Sequence, residues 1–214
     1  MPAARPTRRI VLTGGPGGGK TTALDLFHRE IGDSVVVVPE AASLLYRGGF
    51  PRSDSLEARR FGQQAIFHLQ RNLEDIHAAI SPGRLLLCDR GTPDSAAYWP
   101  GRAEELFAAV GSSLDAELAR YEAVLFFETA AAGGIRVALD PVRTEDVPHA
   151  VALDERLHAV WSRHPRFVLI PHNTSFLAKI QAGLAALTRL VGERGPGDAV
   201  HGAPPLYGIL SEGG

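Results

Sequence analysis

Gly14-Gly15-Pro16-Gly17-Gly18-Gly19-Lys20-Thr21 is the stretch that decides the fold. It follows Arg9–Thr13, a short β-branched and apolar run that reads as a buried strand. It precedes Lys20–Ile31, where Leu24, Phe27 and Ile31 recur at helical spacing and Gly32 gives a stop signal. A strand, a glycine loop and a helix in that order match the pattern G-x-x-x-x-G-K-[ST]. The chemistry explains the residue types. Backbone N–H groups must wrap a polyphosphate, and side chains would block close approach. The helix N-terminus favours the anion. Lys20 supplies a point charge at the β- and γ-phosphates, and the Thr21 hydroxyl is a magnesium ligand. The expected ligand is ATP with Mg2+, or another nucleoside triphosphate, held by Gly14 to Thr21 with Thr22 beside them.

Outward from that loop, strands and helices alternate. Ser34–Val38 holds four valines in a row and reads as a strand buried on both faces, ending at Pro39-Glu40. Asp54–Ile80 reads as a long helix with Phe61, Ala65, Leu69, Leu73, Ile76 and Ile80 on one inward stripe, broken by Ser81-Pro82-Gly83. Leu85–Cys88 is a third strand ending at Asp89. Helix candidates follow near Asp94–Tyr98, Ala103–Ala109 and Ser113–Tyr121. Ala123–Phe127 is a fourth strand ending at Glu128. Thr129–Val147 carries several glycines and Pro141 without periodicity and reads as a mobile loop. A helix from Pro148 to Arg163 has Ala150, Leu153, Leu157 and Val160 as its stripe. Phe167–Ile170 is a fifth strand, and Ser175–Val191 a last helix with Phe176, Ile180, Leu184, Leu187 and Val191 inward. This is an α/β chain: a three-layer P-loop fold around a five-stranded parallel sheet. The expected boundaries are one domain over 1–191 and a poorly ordered Gly/Pro-rich tail over 192–214.

Length and composition fit that plan. The 214 residues suffice for one domain with a full core. A formal charge of −2, with only Arg5, Arg8 and Arg9 as a local basic excess, gives no general pull toward nucleic acid or an anionic membrane. Cys88 is the single cysteine, so no internal disulfide can form. It lies in an apolar run, as a small core residue does, and a reducing cytoplasmic setting is expected. No apolar stretch is long enough to span a bilayer, and the glycine loop with Lys20 interrupts what would be a signal peptide's apolar region. No His/Cys cluster has zinc-ligand spacing, and no nucleophile elbow is present.

In a parallel sheet ligands bind at the carboxyl ends of the strands. Four further sets of polar residues fall there. Asp89, ending an apolar strand, suits a carboxylate that holds magnesium through water or takes a proton from an acceptor; the alternative is a turn-forming Asp paired with Arg90. Glu40 is either a cleft carboxylate for an acceptor or a helix-start carboxylate facing the dipole. Arg136 and Arg143 lie in the loop after the fourth strand, where closing arginines would meet transition-state charge and exclude water; Arg143, in Arg143-Thr144-Glu145, is the favoured one. Asn173 follows the fifth strand, where a base could be flanked. The choice between Glu40 and Asp89 as base stays open, as does oligomeric state.

Gly14 to Thr22, Pro39-Glu40-Ala41-Ala42, Gly48-Gly49-Phe50-Pro51, Asp89-Arg90-Gly91-Thr92-Pro93-Asp94 and Val142-Arg143-Thr144-Glu145 together carry a resemblance over Arg9 to Val191. The chain resembles bacterial AAA-domain ATP-binding proteins related to the kinase domain of nicotinamide riboside kinases. More distantly it is similar to thymidylate and deoxynucleoside kinases. The resemblance implies a kinase-type strand order with the Asp89 strand beside the P-loop strand, an ATP-Mg site, a lid around Arg136 to Arg143, and an acceptor site near Glu40, Arg90 and Asp94. A deoxynucleoside kinase typically has Glu-Pro after its second strand. Here Ala41 follows Glu40, which weakens a nucleoside as acceptor. The expected activity is phosphoryl transfer to an unidentified small molecule, with an ATPase or nucleotide switch acting through a protein partner as the other reading. A non-catalytic nucleotide-binding scaffold is a third. No Asn-Lys-x-Asp element for guanine and no second helical domain are evident.

Overall fold

A computed structural model describes residues 7–129, 147–173 and 175–192. The expected lid with Arg136 and Arg143, and the tail beyond Gly192, lie outside those residues. Five parallel strands form one sheet: β1 (Arg9–Thr13), β2 (Val35–Val38), β3 (Leu85–Asp89), β4 (Ala123–Phe127) and β5 (Phe167–Ile170). Their order is β2-β3-β1-β4-β5. β1 is therefore central, with Leu12 in register with Asp89 on one side and Leu125 on the other. The strand carrying Asp89 is the direct neighbour of the strand that feeds the glycine loop, as the resemblance implied.

Helices cover both faces. On one lie α1 (Lys20–Ile31) and α8 (Phe176–Gly192), packing Leu24, Phe27, Ile180 and Leu187 against Ile10, Leu12, Leu125 and Phe127. On the other, α3 (Leu56–Ile80), α4 (Asp94–Tyr98), α5 (Ala103–Ala109), α6 (Leu114–Leu118) and α7 (Val147–Trp161) enclose Val11, Leu86, Cys88, Phe126 and Trp161. Cys88 is fully buried there, and burial pushes its thiol well above the ordinary range. Ala150, Leu153, Leu157 and Val160 of α7 face inward as their spacing predicts. No helix among the described residues is long and apolar enough to cross a membrane.

The sequence reading needs correction at four points. β2 lies at the edge of the sheet, and only Val35 and Val38 are buried while Val36 and Val37 are half-covered. A helix absent from the sequence reading, α2 (Ala41–Arg47), follows it. The inward face of α3 matches the apolar stripe that periodicity picks out only in part: Leu73 packs against the core. Phe61, Ile76 and Ile80 are 63%, 54% and 68% exposed, whereas Gly62, Phe67, Gln70 and Glu74 are buried. The reason is polar. Glu74 accepts from Tyr121 Oη at 2.7 Å and Arg120 Nη2 at 2.8 Å, and Gln70 donates to the Arg90 carbonyl at 3.2 Å and accepts from Ala41 N at 3.1 Å. These partners, spread over loops and the start of α2 far apart in sequence, rotate the helix so that its polar residues are satisfied. Phe176 of α8, expected inward, is likewise 51% exposed.

The rotation of α3 is checked by chemical unfolding. Phe67→Ala should cost about 3–5 kcal/mol, while Ile80→Ser should stay within about 0.5 kcal/mol; equal losses would restore the periodicity-based face. A second check concerns Lys179 of α8, buried with its ammonium donating to the Glu128 carbonyl. Burial lowers its pKa from 10.5 to about 8 against the opposing charges of Asp154 and Glu128. Above pH 8 the folded state sheds this proton while the unfolded chain keeps it up to about 10.5, so stability rises with pH in that window. The unfolding free energy of the wild type relative to Lys179→Met should therefore climb between pH 8 and pH 10.5; a flat difference would contradict the lowered pKa.

Candidate functional site

The loop between β1 and α1 sits directly on the end of β4. A side chain at Gly14 or Gly18 would collide with the Phe127 carbonyl, and one at Gly19 would meet the Phe176 ring. Gly14, Gly17 and Gly19 adopt φ of 124°, 71° and 86°, a left-handed region that other residues rarely enter. Lys20 is buried and donates to the carbonyls of Gly14 and Gly15, each at 2.8 Å. Pro16 presents its carbonyl to Thr129 Oγ1 at 2.6 Å. The N–H groups of Gly17 and Gly19 have no acceptor among the described residues. A glycine cradle with unspent donors at a helix N-terminus, with a lysine folded into it, fits a polyphosphate.

Beside the cradle, Thr21 Oγ1 lies 3.3 Å from Asp89 Oδ2. Burial, reinforced by the Glu40 carboxylate, raises Asp89 from 3.8 to about 6, against the pull of Lys20 and Arg90. A desolvated carboxylate next to a hydroxyl suits magnesium, which binds through one or two protein oxygens plus phosphate and water. Among the described residues no group of three or more His, Cys, Asp or Glu side chains could hold a metal, so a closed all-protein cage is not what these residues offer.

Glu40 both begins a helix and lines a cavity. It is the N-cap of α2, and its Oε2 accepts from Ser43 Oγ at 2.5 Å. Its Oε1 lies 2.6 Å from Arg90 Nε. Arg90 also pairs with Asp94 Oδ2 at 2.7 Å and holds φ 67° to do so, an uncommon backbone for a residue with a side chain. The turn pairing of Asp89 with Arg90 is thus replaced by a Glu40–Arg90–Asp94 chain. Asp94 takes two more donors, Thr13 Oγ1 at 2.8 Å and Trp161 Nε1 at 2.6 Å, so it anchors Arg90 to the sheet and to α7.

A cavity of about 140 Å³ opens over this chain. Pro16 of the glycine loop forms one wall, α2 and Arg52 another, and Gln63 and Ile66 of α3 a third; Arg90, Asp94 and Tyr98 close it. The tyrosine rings carry cations: Arg52 stands 3.8 Å over Tyr46, and Arg90 5.5 Å over Tyr98. The Gln63 amide has no partner among the described residues. The arrangement can seat a small polar molecule with an aromatic or amide-bearing part next to the phosphate cradle.

Of the sequence-derived residues, Gly14 to Thr21, Asp89, Glu40, Arg90 and Asp94 converge on this region. Thr22 lies exposed on the first turn of α1. Asn173 accepts from Ser175 N at 2.8 Å, forming the turn that leads into α8. Arg136 and Arg143 lie outside the described residues. Sequence reasoning passed over Asp154, whose Oδ1 accepts from Gly15 N at 2.5 Å and Thr129 N at 3.2 Å, and over Tyr46, Gln63 and Tyr98. Asp154 had a signal: it is a carboxylate beside Leu153 on the buried stripe of α7. Tyr46 had none, because α2 itself was unread; Gln63 and Tyr98 lie on helices that were read, but nothing local marks them as facing a cavity.

A family described as an AAA domain matches the chain over residues 9–177, from the first residue of β1 into α8. No curated protein matches it. The match covers the glycine cradle, Asp89, the cavity and all five strands, and the chain belongs to the AAA-domain family of nucleotide-binding P-loop proteins.

Proposed function

We propose that this chain is a phosphotransferase that moves the γ-phosphoryl group of Mg-ATP to a small-molecule acceptor, in the manner of the kinase domains it resembles. The observation that carries the reading is the half-open cavity that shares Pro16 with the phosphate cradle. A plain hydrolase or a switch needs an approach for water or a protein surface there. A walled pocket with Tyr46, Tyr98, Gln63 and the Glu40–Arg90 pair is a place to hold a second substrate.

In this mechanism Lys20, oriented by the Gly14 carbonyl, turns its remaining ammonium donors to the β- and γ-phosphates, and the N–H groups of Gly17 and Gly19 donate to phosphate oxygens. Thr21 and Asp89 would hold magnesium, which when bound supplies neutralisation of phosphate charge. Glu40 is engaged by Arg90 and Ser43, so its part is to shape the acceptor pocket. Asp89, next to the cavity-lining Arg90 and hydrogen-bonded to Thr21 among the described residues, is our candidate for the group that takes the acceptor hydroxyl's proton, with magnesium then held through water. Arg143 and Arg136 lie outside the described residues; the part proposed for them is to neutralise charge on the transferring group. Catalysis is then positioning and charge neutralisation, with no covalent intermediate on the protein. A cytoplasmic setting, with metabolites as partners and no nucleic acid, accords with the charge of −2.

ADP release from Mg-ATP, alone and with fractions of small metabolites, tests the reading. Release that climbs with one fraction supports transfer to an acceptor; steady release indifferent to every fraction would replace it with an ATPase or a partner-driven switch. Lys20→Ala should lower turnover by about 100-fold or more while leaving the fold intact, and near-normal turnover would defeat the mechanism. Tyr46→Ala separates the two sites: metabolite-stimulated release should fall about tenfold while Mg-ATP affinity holds. Parallel loss of both would place Tyr46 in the nucleotide site instead.

A further inference from the structure

One peptide unit in the glycine loop is held at both ends. The carbonyl of Gly14 and the N–H of Gly15 belong to the same plane. The carbonyl accepts from Lys20 Nζ at 2.8 Å, and the N–H donates to Asp154 Oδ1 at 2.5 Å. The carboxylate also accepts from Thr129 N, whose own hydroxyl binds the Pro16 carbonyl. The first half of the loop is thereby clamped to β4 and α7, while Gly17 and Gly19 keep their N–H groups for a ligand.

Asp154 is buried, and a charge placed there has a desolvation cost that packing alone does not justify. Burial raises its pKa, opposed by the Gly15 N–H and the Lys20 ammonium. Its helix is braced at two other points. Trp161 donates to Asp94 at 2.6 Å, and Arg156 Nη2 donates to the Trp99 carbonyl at 2.9 Å. The carboxylate therefore sits on a rigid element and cannot drift with the loop. The approach is tight: a methyl group at Gly15 would lie 2.5 Å from Asp154 Oδ1.

We infer that Asp154 is a positioning residue for Lys20, acting through the Gly14–Gly15 peptide: by holding that N–H it turns the carbonyl that keeps the lysine ammonium at the phosphate cradle. The inference rests on the glycine loop being the nucleotide site. It predicts that Asp154 matters to phosphate binding only while Lys20 is there to be positioned.

Calorimetric titration of the full chain with Mg-ADP tests this in two backgrounds. Asp154→Ala should weaken binding about tenfold, and Asp154→Asn, which keeps an oxygen acceptor of lower charge, about threefold. In the Lys20→Ala background both penalties should shrink below about 1.5-fold, the coupling expected of residues acting as a unit. Penalties of equal size in both backgrounds would make Asp154 a general brace of the fold and overturn the inference, as would no penalty in either. Should Asp154→Ala fail to fold, the Asn pair alone decides by the same criterion. A wild type that binds no Mg-ADP would overturn the nucleotide reading itself, which separates that failure from this one.

Discussion

The contact on which the site depends is that of a bare backbone loop with the end of β4. The Phe127 carbonyl leaves no room for a side chain at Gly14 or Gly18, so the loop can be seated only if it is glycine there. Seating it close to the sheet brings three things within reach of one another. The dipole of α1 points at the cradle, Lys20 folds back onto loop carbonyls, and Thr21 reaches Asp89 on the adjacent strand. The pairing of β1 with both β3 and β4 makes this possible, because it places the ends of three strands around a single loop.

A second consequence is electrostatic. The carboxyl ends of β2 and β3 bring Glu40, Asp89 and Asp94 into a desolvated space with Lys20 and Arg90. Arg90 compensates two of the three carboxylates and accepts a left-handed backbone to do so. Asp89 has no ion pair among the described residues, and burial, reinforced by the nearby Glu40 carboxylate, raises its pKa to about 6. Charge left uncompensated next to an anion cradle is what a divalent cation would relieve.

The far side of the sheet shows how buried polar residues govern packing. Glu74, Tyr121, Arg120 and Gln70 form a network beneath the loop that follows β3. Tyr121 Oη also accepts from Thr92 N, so the network holds the segment between Asp89 and Asp94 in place. It sets the rotation of α3, and with it the presentation of Gln63 and Ile66 to the cavity. Hydrophobic burial alone would have turned the helix toward Phe61, Ile76 and Ile80.

The sequence by itself determined the strands, the long helices, the glycine cradle and the carboxylates at strand ends. Those features follow from local rules: apolar runs bounded by breakers, backbone freedom of glycine, and side chains placed next to a turn. Cys88 as a core residue and the inward stripe of α7 were legible for the same reason. What only the tertiary structure decided is which groups meet across long separations. Asp154 reaches Gly15 across 139 positions, and Trp161 reaches Asp94 across 67. The face of α3, the edge position of β2 and the pocket formed by α2 belong to this class. A periodicity reads apolar residues alone, whereas the fold must also find partners for buried charges, and those partners are specified by no local pattern.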